Sequence, residues 1–332
     1  MLKMNSKFLR SSLLAFTLIS GIINIKVIQA INTEITIQAA GASFPQALYK
    51  AAFFAYLSTS EEDLSYLTIE YEPTGSGGGN CRIMDWYQEC DDDDTITPYH
   101  IDFAGSDSLL NIDDYDNFED LQMYPTVGGA VSAAYNIPVL EKDEDVILTT
   151  SILAQIFSFN ITNWSDPLIL EQNPLIAEKL SSMNDSTIKV GVKGSKSGTT
   201  EIFTSALANA NEYFANTVGA SSYPSWTQSS NLYYRGKSGA RMASFISQTP
   251  NSIGYLVLGD VLKFGLSHAK LRKGDEVIKA DAASLLYTVS EVGMSFGNNG
   301  DDEDHLTAAL YGAKGDLAWP IAGYTYLVMR KN

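Results

Sequence analysis

The sequence predicts an α/β protein of two lobes, and three observations predict it. The chain has 332 residues, 45% hydrophobic and 11% aromatic, which exceeds one typical domain and allows a sizeable core. Short β-type runs lead repeatedly into turns of glycine and serine and then into helical composition. An apolar, β-like segment over residues 126–135 has the character of a strand crossing between lobes. The expected division is residues 31–130 for the first part of lobe 1, 131–255 for lobe 2, and 256–332 for a return to lobe 1.

Charge restricts the partners. The formal net charge is −17 and the isoelectric point is near 4.5. Such a surface argues against recognition of a nucleic-acid backbone and against docking on an anionic membrane. An anion bound by this chain must be held by local donors working against the overall field.

At the N-terminus Lys3, Lys7 and Arg10 precede an apolar run from Leu13 to Ile25, and Ala30 closes the segment. Residues 1–30 are therefore expected to be a secretory signal peptide, and the mature chain is expected to be secreted or periplasmic without membrane insertion. The apolar core is short for a membrane span, and Asn24 and Lys26 interrupt its end. The mature start is expected at Ile31 or several residues later. No cysteine follows the apolar run, so the bacterial lipoprotein route is not expected.

Residues 35–38 alternate as a short strand, residues 39–45 form a small-residue turn, and residues 46–56 read as a helix with the Ser43 hydroxyl beside its start. A second strand, residues 67–72, runs into Pro73–Asn80, expected as a glycine-dense loop whose backbone approaches a ligand. The loop lacks the Gly-Lys-Ser/Thr ending of a P-loop. Cys81 and Cys90, the two cysteines, are expected to form a disulfide in an oxidising compartment. They are not expected to bind metal, because His100, His268 and His305 do not cluster with them. The run Asp91–Asp94 reads as a solvated loop tip.

Residues 101–107 form a third strand ending in a glycine turn with Asp107 at its close. Residues 151–157 read as a helix, residues 160–167 as a capped turn, and Gly236–Arg241 as the opening of a helix to Ile246. Residues 252–257 form a buried strand. Residues 285–289 and 321–329 are expected as strands returning to the first lobe.

Between these lies the stretch Lys193-Gly194-Ser195-Lys196-Ser197-Gly198-Thr199-Thr200, after a β-type run and before a helical one. Free backbone N–H groups and partial positive charge gather where a helix begins. Gly198 admits close backbone approach, while Ser197, Thr199 and Thr200 can donate O–H groups or cap the helix. On its residues alone the stretch fits an oxyanion site and an ordinary capped turn equally. Three such turns, carrying Ser43, Ser76 and Ser197 with Thr199, share one use, since all supply neutral donors to one buried anion without a metal. Asp107, if placed among them, is useful only to a ligand that carries a proton. That condition selects hydrogen phosphate over fully ionised sulfate.

The segments Ala40–Pro45 with Leu48-Tyr49, Gly75–Gly79, Asp102–Asp107, Ile156–Pro167, Lys193–Thr200 with Ile202–Ser205, Ser252–Tyr255 and Trp319–Ile321, in this order, carry a resemblance. The chain is similar to the phosphate-binding component of ABC phosphate importers. The resemblance implies a two-lobed fold of the type II periplasmic-binding-protein kind, each lobe a mixed sheet flanked by helices. It implies inorganic phosphate held in the cleft by Ser43, Phe44 through its backbone, Ser76, Asp107, Lys193, Ser197, Gly198 and Thr199. It further implies a monomer that performs no catalysis, needs no cofactor and delivers its ligand to an ABC permease. This chain departs from the family pattern at Lys193, where arginine is usual, and at Ser195, where aspartate is usual. It is also expected to lack the family's C-terminal helices. Two other readings remain. One is a secreted phosphoesterase using the same pocket, although no His stands near Ser197 to serve as its base. The other is an interaction protein whose pocket is vestigial.

Overall fold

The computed structural model describes residues 34–59, 64–84, 100–227, 229–294, 296 and 306–331. The expected signal peptide, Cys90 with its expected pairing to Cys81, and the run Asp91–Asp94 lie outside them.

The chain opens with β1 (Ile35–Gly41), α1 (Gln46–Thr59), β2 (Leu67–Glu72), α2 (Ser76–Met84) and β3 (Phe103–Ser106). Strands β1, β2 and β3 are parallel neighbours, as strand-helix-strand units require. Of the glycine-dense segment expected as a loop, residues 73–75 are non-helical, but residues 76–80 instead form the start of α2. Glycine costs a helix roughly 1 kcal/mol each against alanine, but here the missing side chains let α2 lie directly on the sheet. A Cβ on Gly79 would fall 2.6 Å from Gly41 Cα and 2.9 Å from the Ala40 carbonyl oxygen.

After α3 (Ile112–Asn117) comes β4 (Leu121–Asn136), which runs through both halves of the main sheet. Its residues 121–130 pair antiparallel with β12 (Ala322–Arg330), and residues 131–136 pair antiparallel with β8 (Ser252–Val257). Between β4 and β8 lie β5 (Ile147–Leu148), α4 (Thr150–Phe157), α5 (Pro167–Gln172), α6 (Ala177–Ser181), β6 (Lys189–Lys193), α7 (Gly198–Ala210), α8 (Glu212–Thr217), β7 (Leu232–Gly236) and α9 (Gly239–Gln248). The stretch from β8 to β12 holds α10 (Leu258–Lys263), β9 (Ser267–His268), β10 (Lys270–Lys273), β11 (Glu276–Ile278) and α11 (Ala282–Val292).

The strand order is β2-β1-β3-β12-β4-β8-β6-β7, with β9 also on β4 and a small sheet β11-β10-β5 beside it. The chain thus rejoins β3 at β12. The segment 285–289, expected as a strand, lies within α11. Asp281 caps that helix through the Ser284 N–H, and the buried Ser284 and Thr288 stand four residues apart while Leu286 and Tyr287 face out, a helical period.

One apolar core packs α4 and α7 against β4, β6 and β8, with Trp164 and Trp319 almost fully buried. Each indole N–H is satisfied, Trp164 by the Asn251 carbonyl at 3.1 Å and Trp319 by the Val131 carbonyl at 3.0 Å. A smaller core lies between α2, α3 and the β3–β12–β4 side of the sheet, around Ile101, Leu121, Met123 and Tyr326. No helix of the described residues is long and apolar enough to cross a membrane.

Candidate functional site

The first three strands end in backbone-on-backbone contact. Ala42 N–H donates to the Gly105 carbonyl at 2.7 Å, and Gly75 N–H donates to the Gly41 carbonyl at 2.8 Å. A Cβ on Gly41, whose φ is +137°, would fall 2.0 Å from the Gly105 oxygen, so only glycine permits the approach. Ser43, Ser76 and Asp107 each follow one of these glycines by one or two residues, so the strand ends carry them to one edge.

Asp107 is buried at this edge. Its N–H donates to Ser76 Oγ at 3.0 Å, and its Oδ1 accepts from Thr325 Oγ1 at 2.6 Å. Opposite stands the start of α7. A Cβ on Gly198 would lie 2.4 Å from Asp107 Cβ and 2.7 Å from Ser76 Oγ, so the helix meets the carboxylate turn with no room for a side chain. Ser197 is the N-cap of α7 yet makes no side-chain cap bond. Ser197 and Thr199 are both buried, and among the described residues neither hydroxyl has a hydrogen-bond partner. Neither hydroxyl oxygen is among the solvent-excluded unpaired atoms, so both, with the first-turn N–H groups, are donors that reach accessible space.

Lys193 ends β6 and is buried. Its N–H donates to Tyr255 Oη at 3.1 Å, and Tyr255 Oη pairs with Thr200 Oγ1 at 2.8 Å, which fixes the junction of β6 and α7. The Tyr255 ring stacks on Phe203 of α7 with centroids 4.4 Å apart.

Burial dominates the electrostatics. Loss of solvent pushes the Asp107 carboxyl up to about 7, against the pull of the Thr325 hydroxyl and the positive Lys193. Burial likewise lowers Lys193, opposed by Asp107 and Asp260. Glu201, in the first turn of α7, is raised by burial, partly offset by the neighbouring Ser108 hydroxyl and Leu109 N–H. A carboxyl poised near 7 can either accept a proton from a ligand oxygen or donate one to it.

The structure brings Ser76, Asp107, Lys193, Ser197, Gly198 and Thr199 into one region. Ser43 is exposed at its rim, and half-buried Phe44 rests its ring on Gly129, where a Cβ would fall 1.6 Å from Phe44 Cζ. Sequence reasoning passes over Thr325, Glu201, Asp260 and Tyr255. Tyr255 stands within one of the segments that carry the family resemblance, whereas nothing local marks the other three. Among the described residues no group of three or more His, Cys, Asp or Glu is placed to hold a metal.

Strand ends and helix starts meeting around a shared strand define the two-lobed solute-binding class with the type II periplasmic-binding-protein fold. The PBP superfamily domain model matches residues 29–332, and the chain belongs to that superfamily. It is 29% identical over 307 residues to the phosphate-binding protein PstS of Methanocaldococcus jannaschii, covering 90% of this chain and 73% of that one. Among solved structures it is similar to the phosphate binding protein from Stenotrophomonas maltophilia, with TM-score 0.61, 20% identity, and 89% and 79% of the two chains covered. It is also similar to a putative phosphate ABC transporter substrate-binding protein with bound phosphate from Clostridium perfringens, with TM-score 0.56, 13% identity, and 90% and 87% covered.

Proposed function

We propose that this chain binds inorganic phosphate, as hydrogen phosphate, for uptake. The observation that carries the reading is the buried Asp107, whose Cβ and backbone lie against Gly198 at the start of α7, where Ser197 makes no side-chain cap bond. Ser76, Ser197 and Thr199 hydroxyls, the Gly198 N–H and the Lys193 ammonium would donate to the anion, and Asp107 would accept the ligand's proton. Ser43 and the Phe44 backbone would complete the shell from the rim when the lobes close. A ligand without a proton leaves the carboxylate facing a bare oxygen, and that repulsion supplies the selectivity.

The same reading divides the mature chain into a lobe on β1, β2, β3 and β12 and a lobe on β6, β7 and β8, joined through β4. It takes the protein as an exported, monomeric binder without catalysis, its Cys81–Cys90 bridge formed outside the cytoplasm and its ligand passed to an ABC permease. The name of the Methanocaldococcus jannaschii relative supports the ligand, and that of the Clostridium perfringens protein supports the ligand and the transport role. Calorimetry with phosphate and sulfate tests it: submicromolar phosphate with far weaker sulfate is expected, and equal binding of the two, or binding of neither, rejects it. Sustained hydrolysis of a phosphomonoester by the purified protein would favour the phosphoesterase instead.

A further inference from the structure

The direction of the Lys193 side chain follows from sheet register. Gly191 pairs with Gly254, and a Cβ on either would meet Met242 Sδ of α9, at 2.8 and 2.6 Å. That face of the sheet is therefore covered by α9. Lys193, two residues after Gly191, shares the face. It pairs with Gly236, three residues before Gly239 opens α9. The half-buried Asp260 of α10 sits at the same corner, its Oδ2 so close to Gly239 that a Cβ there would lie 2.0 Å away.

Asp107 and Asp260 both act on Lys193, each favouring its charged form against burial. Among the described residues no carboxylate lies within the 4.0 Å of a direct ion pair with it, and the loop Gly194-Ser195-Lys196 supplies no acid. The other charged groups nearby are cations or act elsewhere. Arg235, Lys237, Arg241 and Lys263 are exposed, Lys263 acting on Asp260, and Glu201 acts on Asp107. An ammonium buried without a nearby counter-charge would surrender its proton.

We propose that Asp260 is a positioning residue for the anion site, the counter-charge that holds the Lys193 ammonium at the ligand. This rests on the phosphate reading for what Lys193 faces, and two measurements keep the two ideas apart. The first needs no ligand: the Lys193 side chain is titrated by lysine-selective NMR, its signal assigned by loss in Lys193→Arg. In Asp260→Asn the titration moves to lower pH, and Asp260→Glu restores it. An unmoved titration overturns the proposal.

The second is the phosphate dissociation constant by calorimetry at pH 6 and pH 9. Asp260→Asn weakens binding roughly tenfold at pH 9 and less than about twofold at pH 6, because a neutral Lys193 no longer attracts the anion. In the Lys193→Arg background, where the cation cannot deprotonate, the same substitution changes affinity less than about twofold at both pH values. An equal loss at both pH values, or one that persists beside arginine, overturns the proposal. Failure of the unmutated protein to bind phosphate rejects the functional reading, and the lysine titration then decides the counter-charge by itself.

Discussion

The Thr325 hydroxyl donates to Asp107 Oδ1 at 2.6 Å, joining residues 218 positions apart in the chain. The register between β12 and β4 shifts at Thr325/Tyr326, and such an irregularity re-aims a side chain that a regular strand would hold elsewhere. Thr325 is fully buried, so its donor has this one use. Thr325→Val keeps the volume and removes the donor. Denaturant unfolding is expected to show a loss of about 1–3 kcal/mol at pH 8, the cost of an abandoned buried acceptor. An unchanged midpoint would show the bond to be unimportant.

Selectivity should depend on pH through Asp107. Its carboxyl, raised by burial to about 7, is protonated below that pH and then donates to an anion that lacks a proton. Sulfate does not titrate between about pH 5.5 and 8.5, so its affinity reports the site. Sulfate binding is expected to strengthen by up to ~tenfold per unit as pH falls through 7, narrowing the preference for phosphate. Asp107→Asn should flatten that profile. A sulfate affinity independent of pH in the unmutated protein contradicts the assignment.

The same carboxyl makes ligand-free stability pH-dependent. Because its folded value lies above its ordinary value of 3.8, the stability it contributes is complete below about pH 4 and is lost as pH rises through about 7. At about 1.4 kcal/mol per unit the loss has a ceiling of ~4 kcal/mol. Ligand-free Asp107→Asn is therefore expected to be more stable than the parent at pH 8, with the advantage shrinking toward pH 4. Thermal unfolding across that range checks it, and a difference that does not vary with pH would mean the carboxyl titrates as an ordinary one.

Two glycines distinguish site packing from helix propensity. In Gly198→Ala the new Cβ falls onto Asp107 and Ser76, so phosphate affinity is expected to drop by roughly a hundredfold or more, as a buried contact is forced apart. Gly259 in α10 is exposed, and a Cβ placed there would have nothing within 4 Å. Gly259→Ala should leave binding alone and raise stability by about 0.5–1 kcal/mol. Calorimetry and unfolding on the two variants separate these effects, and intact binding in Gly198→Ala would remove α7 from the ligand.

Legibility in the sequence follows the range of the interactions. Strands β1, β2, β6, β8 and β12 and the turns behind Ser43, Asp107 and Ser197 are readable, because alternation and small residues act within a few positions. The first turn of α2 reads as a loop because its glycines signal one locally, and their packing against Gly41 and Lys196 is visible only in three dimensions. Within α11 the run Leu285–Val289 is β-compatible taken alone, and only the Asp281 cap ahead of it marks a helix. Thr325 and Asp260 carry no local mark at all. Their importance comes from partners brought close by the sheet order.

The sheet order also determines how the molecule would carry a pulling force. Ile35 begins β1 and Arg330 ends β12, and in the sheet β3 lies between the two strands and pairs with both. Tension applied between those residues would shear β1 past β12 across the short ladders on each side of β3. The whole excursion from Asn136 to Ile321 would stay out of the load path. Such a molecule should give way first at β3, releasing Asp107, while the half that carries α7 remains folded.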